Sequence, residues 1–230
     1  MFFRIDFLDE FKLQRGAHAK VQHMSFLSAL FYDKFMKATE DACLISWRKD
    51  LLIDTQGCIL EIGAGTGASL DLYPPTDGLI ITLIEPDKNM RAQLEAKVTS
   101  KKLSNISILT CSSENISAKD NSYDYVFVSL VCCSVNDVTA TLREIKRVLK
   151  TDGRFIFLEH VAAESGSTRR KWQDCLTPFW KKLAGNCHLN RDTENLIRNA
   201  GFDFDYLKHE SMRKAMPFIR PTIRGIAKIK

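Results

Sequence analysis

Three glycines at alternate positions and two glutamates form the part of this sequence whose residue types could bind a ligand. Gly63, Gly65 and Gly67 follow an apolar run that is typical of a buried strand, and Glu61 lies two residues before the first glycine. Glycine adopts backbone angles that other residues avoid, and its missing Cβ lets the main chain approach a ligand. Glu85 ends the next apolar run, about 20 residues further on, where a ribose-binding carboxylate is expected.

Two classes of ligand fit such a turn, namely dinucleotides and S-adenosylmethionine (SAM). Dinucleotide pyrophosphates are typically bound by the order G-x-G-x-x-G, whereas the glycines here occupy every second position. The carboxylate of Glu61 would repel a phosphate but attract the ammonium group of SAM. The residues therefore favour SAM as the cofactor, with Glu85 accepting both ribose hydroxyls, and leave NAD-dependent oxidoreduction as the weaker alternative.

Apolar runs and helical stripes alternate along the chain and indicate how these residues are positioned. Strands are predicted at 58–62, 79–84, 106–111, 124–131, 154–159, 202–208 and 223–229. Alternation of strands with helices predicts an α/β fold with a doubly wound parallel sheet. The last two strands are expected to close it as an antiparallel pair, which gives a seven-stranded sheet that is mostly parallel with an antiparallel C-terminal strand.

A long helix is predicted before the first strand, because apolar residues recur there at spacings of three and four. This stripe consists of Phe31, Phe35, Ala38, Ala42 and Ile45. We expect it to pack on the sheet. The weaker alternative is that Tyr32 and Phe35 cover a ligand.

Polar side chains end four of the predicted strands, at Glu61, Glu85, Ser129 and the pair Glu159–His160. The carboxyl ends of parallel strands meet at one edge of the sheet, where ligands bind, so these side chains should converge. His160 is the candidate catalytic residue, because imidazole titrates in the range that suits a general base. The alternative is a structural histidine that bonds a loop carbonyl.

The chain has 230 residues, 45% of them hydrophobic, and a formal net charge of +5. This suits one well-filled domain, which we place at residues 24–230 behind an N-terminal arm at 1–23. A lid-like insertion is predicted at about 162–190, where an aromatic and basic stretch could cover a ligand, lie on an anionic membrane or pack as an ordinary helix. The mild charge argues against nucleic acid, so we expect a small-molecule acceptor.

Seven cysteines are present, and none forms a C-x-x-C pair. Reduced, mostly buried thiols in a cytosolic compartment fit this pattern better than disulfides or a zinc site, so no metal is expected. Charges interrupt the apolar N-terminus at once, which argues against a signal peptide or a membrane span. We therefore expect a cytoplasmic protein, with peripheral contact between the basic residues 211–230 and an anionic membrane as an alternative. The oligomeric state is not predicted.

Further motifs resemble the class I SAM-dependent methyltransferases. They are Glu61–Gly67, Glu85–Pro86, Ser113–Asn115, Leu142–Leu149 and Asp152–Gly153. More narrowly, the thiol S-methyltransferases of the animal endoplasmic reticulum are similar at Tyr73–Pro75, Val131–Val135, Leu158–Glu164 and Arg220–Pro221. Bacterial methyltransferases described as phospholipid N-methyltransferase-like are similar at Phe31–Met36 and Cys187–Asp192.

The resemblance implies cofactor contacts at Glu61, Gly63, Ala64, Gly65, Gly67, Glu85, Pro86, Ser113, Glu114, Ser129 and Leu130. Ser112 departs from the pattern, since many relatives have an aspartate there that contacts the adenine, and Ser113 or Glu114 would take that role. The hydrophobic N-terminal anchor of the animal enzymes is not found, which removes the reason to expect a membrane protein of the reticulum.

The implied reaction is methyl transfer from SAM to a small, fairly apolar acceptor, with a thiol as the first choice. A thiol with a pKa of about 8.5 is already partly ionised at neutral pH and needs little help from a base. Methylation of a phospholipid or quinone at a membrane surface is one alternative. A non-catalytic SAM-binding protein is the other.

Overall fold

The computed structural model describes residues 26–230, and a seven-stranded sheet forms the centre of this part of the chain. Its strands are β1 (Cys58–Ile62), β2 (Ile80–Ile84), β3 (Ile106–Leu109), β4 (Tyr123–Ser129), β5 (Leu149–His160), β6 (Phe202–Ser211) and β7 (Pro221–Ile229). The order is β3-β2-β1-β4-β5-β7-β6. Strands β1 to β5 pair in parallel, whereas β7 is antiparallel to both neighbours. The predicted fold class is confirmed, and the predicted arm at 1–23 lies outside the described residues.

Helices pack on both faces of the sheet. They are α1 (Phe26–Thr39), α2 (Ile45–Leu52), α3 (Lys88–Ser100), α4 (Val138–Val148), α5 (Thr168–Leu183) and α6 (Thr193–Asn199). Four of them begin after a side chain that accepts a first-turn N–H, which is the usual N-cap arrangement: Asp87, Asp137, Ser167 and Asp192. Within residues 26–230, no helix is both long and apolar enough to cross a bilayer.

The central strands are buried on both faces, as their nearly continuous apolar sequences predict. In β4, Val126 and Val128 face a core layer that includes α4 and α6, whereas Phe127 faces the layer that includes α2 and α3. Side chains of a strand alternate between the two faces, so one apolar run supplies both layers. The two cores hold the carboxyl ends of the central strands in fixed positions.

The helical segment before β1 differs from its prediction. Residues Glu40–Leu44 form a π-helical turn between α1 and α2, which places one extra residue in the turn. The buried positions beyond it are Cys43, Leu44, Trp47, Arg48, Leu51 and Leu52, one residue out of step with the predicted stripe. Phe35 is 65% exposed and Ile45 is 40% exposed. Our expectation that these two residues pack on the sheet is therefore wrong.

Two segments near the site are fixed by hydrogen bonds between residues close in sequence. Residues 68–72 form consecutive turns in which Leu72 N–H donates to the Ser69 carbonyl oxygen at 2.9 Å. Helix α6 begins at Thr193, because the side chain of Asp192 accepts the Asn195 N–H and caps the helix.

The pairing register aligns the strand ends that matter. Ile62 of β1 lies opposite Ile84 of β2 on one side and Val128 of β4 on the other. Ser129 in turn lies opposite Leu158 of β5. The residues that follow these positions therefore emerge at one edge of the sheet.

Candidate active site

A cavity of about 780 Å³ opens at the carboxyl ends of the parallel strands. The predicted site residues that line it are Gly63, Gly65, Glu85, Pro86, Ser113, Glu114, Ser129, Leu130 and His160. Glu61, Ala64 and Gly67 do not line it. A smaller depression of about 440 Å³ lies beside Gly57 and Asp124 at the opposite strand ends. We place the site in the larger cavity, because ligands of such sheets bind beyond the carboxyl ends.

Gly63 and Gly65 serve different purposes in the turn. Both have left-handed backbone angles, with φ of +69° and +59°, which favour glycine. A Cβ on Gly63 would lie 2.5 Å from Cγ2 of Val131, so its missing side chain makes room for protein packing. A Cβ on Gly65 would have Sδ of Met90 as its nearest neighbour, at 4.0 Å. Gly65 is therefore the glycine at which a ligand can approach the main chain.

Glu85 fixes this turn and remains able to bind a ligand. Its Oε2 accepts the Gly65 N–H and its Oε1 accepts the Asp87 N–H, both at 2.8 Å. Burial raises the pKa of Glu85, and these N–H groups and the nearby Arg91 oppose that rise. Each carboxylate oxygen has a second lone pair, so Glu85 can still accept two ribose hydroxyls. The open space at Gly65 and the remaining capacity of Glu85 fit the predicted SAM cofactor.

Glu61 lies beneath the turn. Its Oε2 accepts the Tyr73 hydroxyl at 2.5 Å, and burial raises the pKa of Glu61 while Tyr73, Ser69 and Arg48 lower it. The carboxylate therefore ties the turns that follow the glycines back to β1. Its contact with the ammonium group of SAM stays a prediction.

A buried arginine that the sequence analysis missed holds the end of β4. Arg48 donates from Nε to Ser129 Oγ at 2.9 Å, and its two terminal nitrogens donate to the carboxylate of Glu40 at 2.6 and 3.0 Å. The next residue, Leu130, has a φ of +60°, which is unusual for a residue with a branched side chain. Only the tertiary structure brings Arg48 next to Ser129, since 81 residues separate them.

Ser113 and Glu114 lie at the edge of the cavity and also hold α4 in place. Ser113 Oγ lies 3.0 Å from Thr141 Oγ1. Glu114 Oε1 accepts the Asp137 N–H at 2.9 Å, and its Oε2 accepts the Ser112 hydroxyl at 3.1 Å. Their predicted adenine contacts would be made from side chains that these bonds already orient.

Glu159 and His160 leave β5 in different directions. The Glu159 carboxylate accepts the N–H groups of Val131, Cys132 and Cys133, which shapes the turn after β4, and burial raises the pKa of Glu159 to about 7. His160 lines the cavity, and burial, aided by Arg191, lowers its pKa to about 4. An imidazole with so low a pKa is a weak base at neutral pH, and the role of His160 as a general base stays a prediction.

The far wall of the cavity, by which we mean its apolar lining, comes from segments that we did not assign to the site, apart from the predicted lid and Phe35, our weaker candidate for covering a ligand. Its apolar side chains are Phe35, Met36, Trp180, Leu183, Met212, Met216 and Ile219. The Trp180 ring packs edge-on against Phe218, with centroids 5.4 Å apart. These residues come from both ends of the described chain. In the β6–β7 segment, Met212, Met216 and Ile219 recur at spacings of four and three, an apolar pattern that the sequence analysis did not use.

Helix α5 does not pack as an ordinary amphipathic helix. Its buried Gln173 accepts the Ala163 N–H at 2.7 Å and donates to the Phe218 carbonyl oxygen at 2.9 Å. Trp172 and Phe179 are 60% and 69% exposed. Polar bonds therefore anchor the helix, and much of its apolar surface stays in contact with solvent.

Comparison with known proteins agrees with this geometry. The methyltransferase domain family matches residues 60–157. The chain is 36% identical over 171 residues to thiol S-methyltransferase TMT1A of Homo sapiens, which covers 74% of this chain and 69% of that protein. It is 35% identical over 182 residues to thiol S-methyltransferase TMT1B of Rattus norvegicus, covering 78% of this chain and 73% of that protein.

Among solved structures, a geranyl diphosphate methyltransferase in complex with SAM superposes with a TM-score of 0.68, covering 87% of this chain and 91% of that chain. The sequences are 9% identical, so this likeness shows the fold alone. The fold, the strand-end cavity and the identity to the thiol S-methyltransferases converge on one assignment: the chain belongs to the class I SAM-dependent methyltransferases, in the family that contains the thiol S-methyltransferases.

Proposed function

We propose that the acceptor of this methyltransferase is a small, fairly apolar thiol. The observation that carries the proposal is the apolar far wall, in which Trp180, Met212 and Met216 line the same cavity as Gly63 and Gly65. The relatives at 35% and 36% identity are named thiol S-methyltransferases, which supports the same acceptor class.

SAM supplies a methyl group on a sulfonium sulfur, which departs as a neutral thioether. The residues of this chain then have three tasks. Glu85 and the Gly65 main chain hold the nucleoside, Ser129 and Leu130 border the reacting end, and the apolar wall holds the acceptor and excludes water. Positioning and desolvation of this kind lower the activation free energy by several kcal/mol, and ideal alignment lowers it by on the order of 7–11 kcal/mol.

The acceptor needs little base assistance, which agrees with the properties of the cavity. A thiol of pKa about 8.5 is partly ionised at neutral pH, and its thiolate is already a strong nucleophile. The new S–C bond forms from the thiolate lone pair as the C–S⁺ bond breaks, and the thiol proton has passed to water. A side chain with the low pKa of His160 is then compatible with turnover.

Substitution of Trp180 tests whether the far wall of the cavity binds the acceptor. We expect Trp180→Ala to raise KM for an aromatic thiol about tenfold, because a large ring is lost from the binding surface, and to leave SAM affinity unchanged. The matched control is Trp172→Ala on the same helix, where the ring is 60% exposed and does not line the cavity. Equal effects of the two substitutions, or turnover of amines and phenols but no thiol, would contradict the proposal.

A phospholipid or quinone acceptor at a membrane surface is the second candidate, and the exposed face of α5 favours it. Trp172, Phe179 and Leu183 are at least 60% exposed and lie near Lys181 and Lys182. Apolar side chains beside lysines are typical of helices that rest on anionic bilayers. Leu183 also lines the cavity, so a membrane-bound acceptor would have a short path to the site.

Vesicle sedimentation separates the two candidates. If the acceptor is a lipid, anionic vesicles should retain the protein in a salt-sensitive manner, and Phe179→Ser should weaken that retention. A labelled-methyl assay with thiols and with phosphatidylethanolamine in the same vesicles then identifies the acceptor. Retention without lipid methylation would leave the thiol as the acceptor.

A further inference from the structure

A cluster of two cysteines and one histidine lies in the wall of the cavity and has no role in the function described above. Cys133 follows β4, His160 ends β5, and Cys187 follows α5. The sulfur and ring-nitrogen atoms of the three residues all lie within 4.8 Å of one another. Thiolates together with imidazole are the ligands that Zn²⁺ and related soft cations prefer.

The spacing of these atoms suits a tetrahedral metal site. Bonds of about 2.3 Å to sulfur and about 2.0 Å to nitrogen put the two ligand atoms about 3.5 Å apart at a tetrahedral angle. The observed distance from Cys187 Sγ to His160 Nε2 is 3.6 Å. Since no two of the three ligand atoms are more than 4.8 Å apart, the distances from the Cys133 sulfur would need to shorten by at most about 1.3 Å to complete the set.

The imidazole of His160 is poorly satisfied by the protein. The residue is 1% exposed, and its Nδ1 has no hydrogen-bond partner among residues 26–230. Its Nε2 has only the weak thiol contact with Cys187. Burial of a polar ring with so few partners is costly, and a bond to a metal would offset that cost.

The loops that present the two cysteines are already fixed to each other. His188 N–H donates to the Cys133 carbonyl oxygen at 2.8 Å, and Asn186 Nδ2 donates to the Ser134 carbonyl oxygen at 2.7 Å. Beside the cluster, the carboxyl group of Glu159 and the guanidinium group of Arg191 are both bonded to the backbone of Cys132. Two thiolates would therefore neutralise a divalent cation in a site that needs little rearrangement.

All three residues line the cavity, as Trp180 and Leu183 of the proposed acceptor wall do, so a metal bound to them would lie at the edge of the space in which we place the acceptor. Three protein ligands with one open position are the arrangement of catalytic zinc sites. We infer that Cys133, His160 and Cys187 bind a soft divalent cation, Zn²⁺ by preference, which holds the acceptor thiol as a thiolate. This inference rests on the proposed thiol acceptor. The thiol releases its proton to water on binding, and its sulfur lone pair then forms the bond to the methyl group as the sulfonium C–S bond breaks.

Cobalt substitution tests the site without reliance on activity. Chelator-treated, reduced protein should bind one Co²⁺ per chain with a sulfur-to-metal charge-transfer band, and Zn²⁺ should displace it. Cys133→Ser and Cys187→Ser should each weaken cobalt binding at least about tenfold. Substitution of residues that only hydrogen-bond to metal ligands already lowers metal affinity by that factor. Cys175→Ser, an exposed cysteine of α5 outside the cluster, is the matched control. Benzyl mercaptan should then shift the cobalt spectrum of the wild-type protein.

Equal cobalt binding by wild type and both serine variants would overturn the inference. So would a Cys133–Cys187 disulfide that persists under reduction, or a cobalt spectrum that benzyl mercaptan leaves unchanged. Unfolding curves for each variant establish that it is folded. Thiol turnover that survives complete metal removal would refute the metal's role and leave the proposed function standing, whereas cobalt binding without turnover of any thiol would refute the proposed function instead.

Discussion

The cofactor side and the acceptor side of the cavity are built in contrasting ways. On the cofactor side, the glycine turn and Glu85 lie within 25 residues of sequence, and their bonds to each other involve the main chain. On the acceptor side, side chains from α1, α5 and the β6–β7 segment line one wall, although these elements are far apart in the sequence. The contrast teaches that a ligand common to a large enzyme class can be bound by a local motif, whereas the acceptor is selected by long-range packing.

The pair of Arg48 with Glu40, which also holds Ser129, should have the largest effect when it is broken. Arg48→Met leaves the carboxylate of Glu40 without its partner and releases Ser129. We expect the free energy of unfolding to fall by about 3–5 kcal/mol, as for other buried pairs that lose one member. Denaturant unfolding measures it. The double variant Arg48→Met/Glu40→Gln should recover most of the loss, and a single-variant cost below about 1 kcal/mol would contradict the role assigned to the pair.

Two glycines with left-handed backbone angles, one inside the glycine turn and one outside it, provide a matched pair of substitutions. Gly63→Ala should lower the free energy of unfolding by about 3 kcal/mol, because it combines a left-handed backbone with a Cβ that would lie 2.5 Å from Val131. Gly78→Ala has a similar φ, +82°, but nothing within 4 Å, so it should cost only about 1 kcal/mol. Equal costs would show that backbone strain alone determines the need for glycine here.

A substitution of Glu85 should change cofactor binding without changing acceptor binding. Glu85→Gln should raise the Kd for SAM at least about tenfold, since hydrogen bonds to a charged acceptor are lost. At saturating SAM, KM for the acceptor should stay the same, which calorimetry and steady-state kinetics can check together. Asp71→Asn, which alters an exposed ion pair with Lys101, is the control. If the Kd for SAM and the KM for the acceptor both rose, the cofactor side and the acceptor side would not be independent.

The pH dependence of SAM binding should be the smallest effect. Burial raises the pKa of Glu85, and ribose hydroxyls donate to its ionised form, so SAM affinity should weaken as the pH falls through that raised pKa. For folding the sign is opposite, because the stability contributed by a raised carboxyl pKa is lost as the pH rises through it. Glu85→Gln should abolish the dependence of SAM binding. If Glu61→Gln abolishes it instead, Glu61 is the group that binds the cofactor.

The sequence predicted those features of the fold and the site that depend on patterns of neighbouring residues. The βα alternation predicted the sheet, and nine predicted site residues line the cavity. The buried face of the helical segment before β1 was mispredicted, because Thr39 and Cys43 are buried there whereas Phe35 and Ala38 are exposed. An apolar residue at helical spacing can face either a core or a cavity, and Phe35 lines the cavity.

By itself, the sequence determined the sheet, the glycine turn and the acidic strand end, because strand periodicity, left-handed backbone angles and the spacing of a carboxylate are properties of neighbouring residues. The tertiary structure decided which side chains form the acceptor wall and which cysteines meet His160. Those choices depend on contacts between residues far apart in the chain, where small differences in packing free energy select one partner among many.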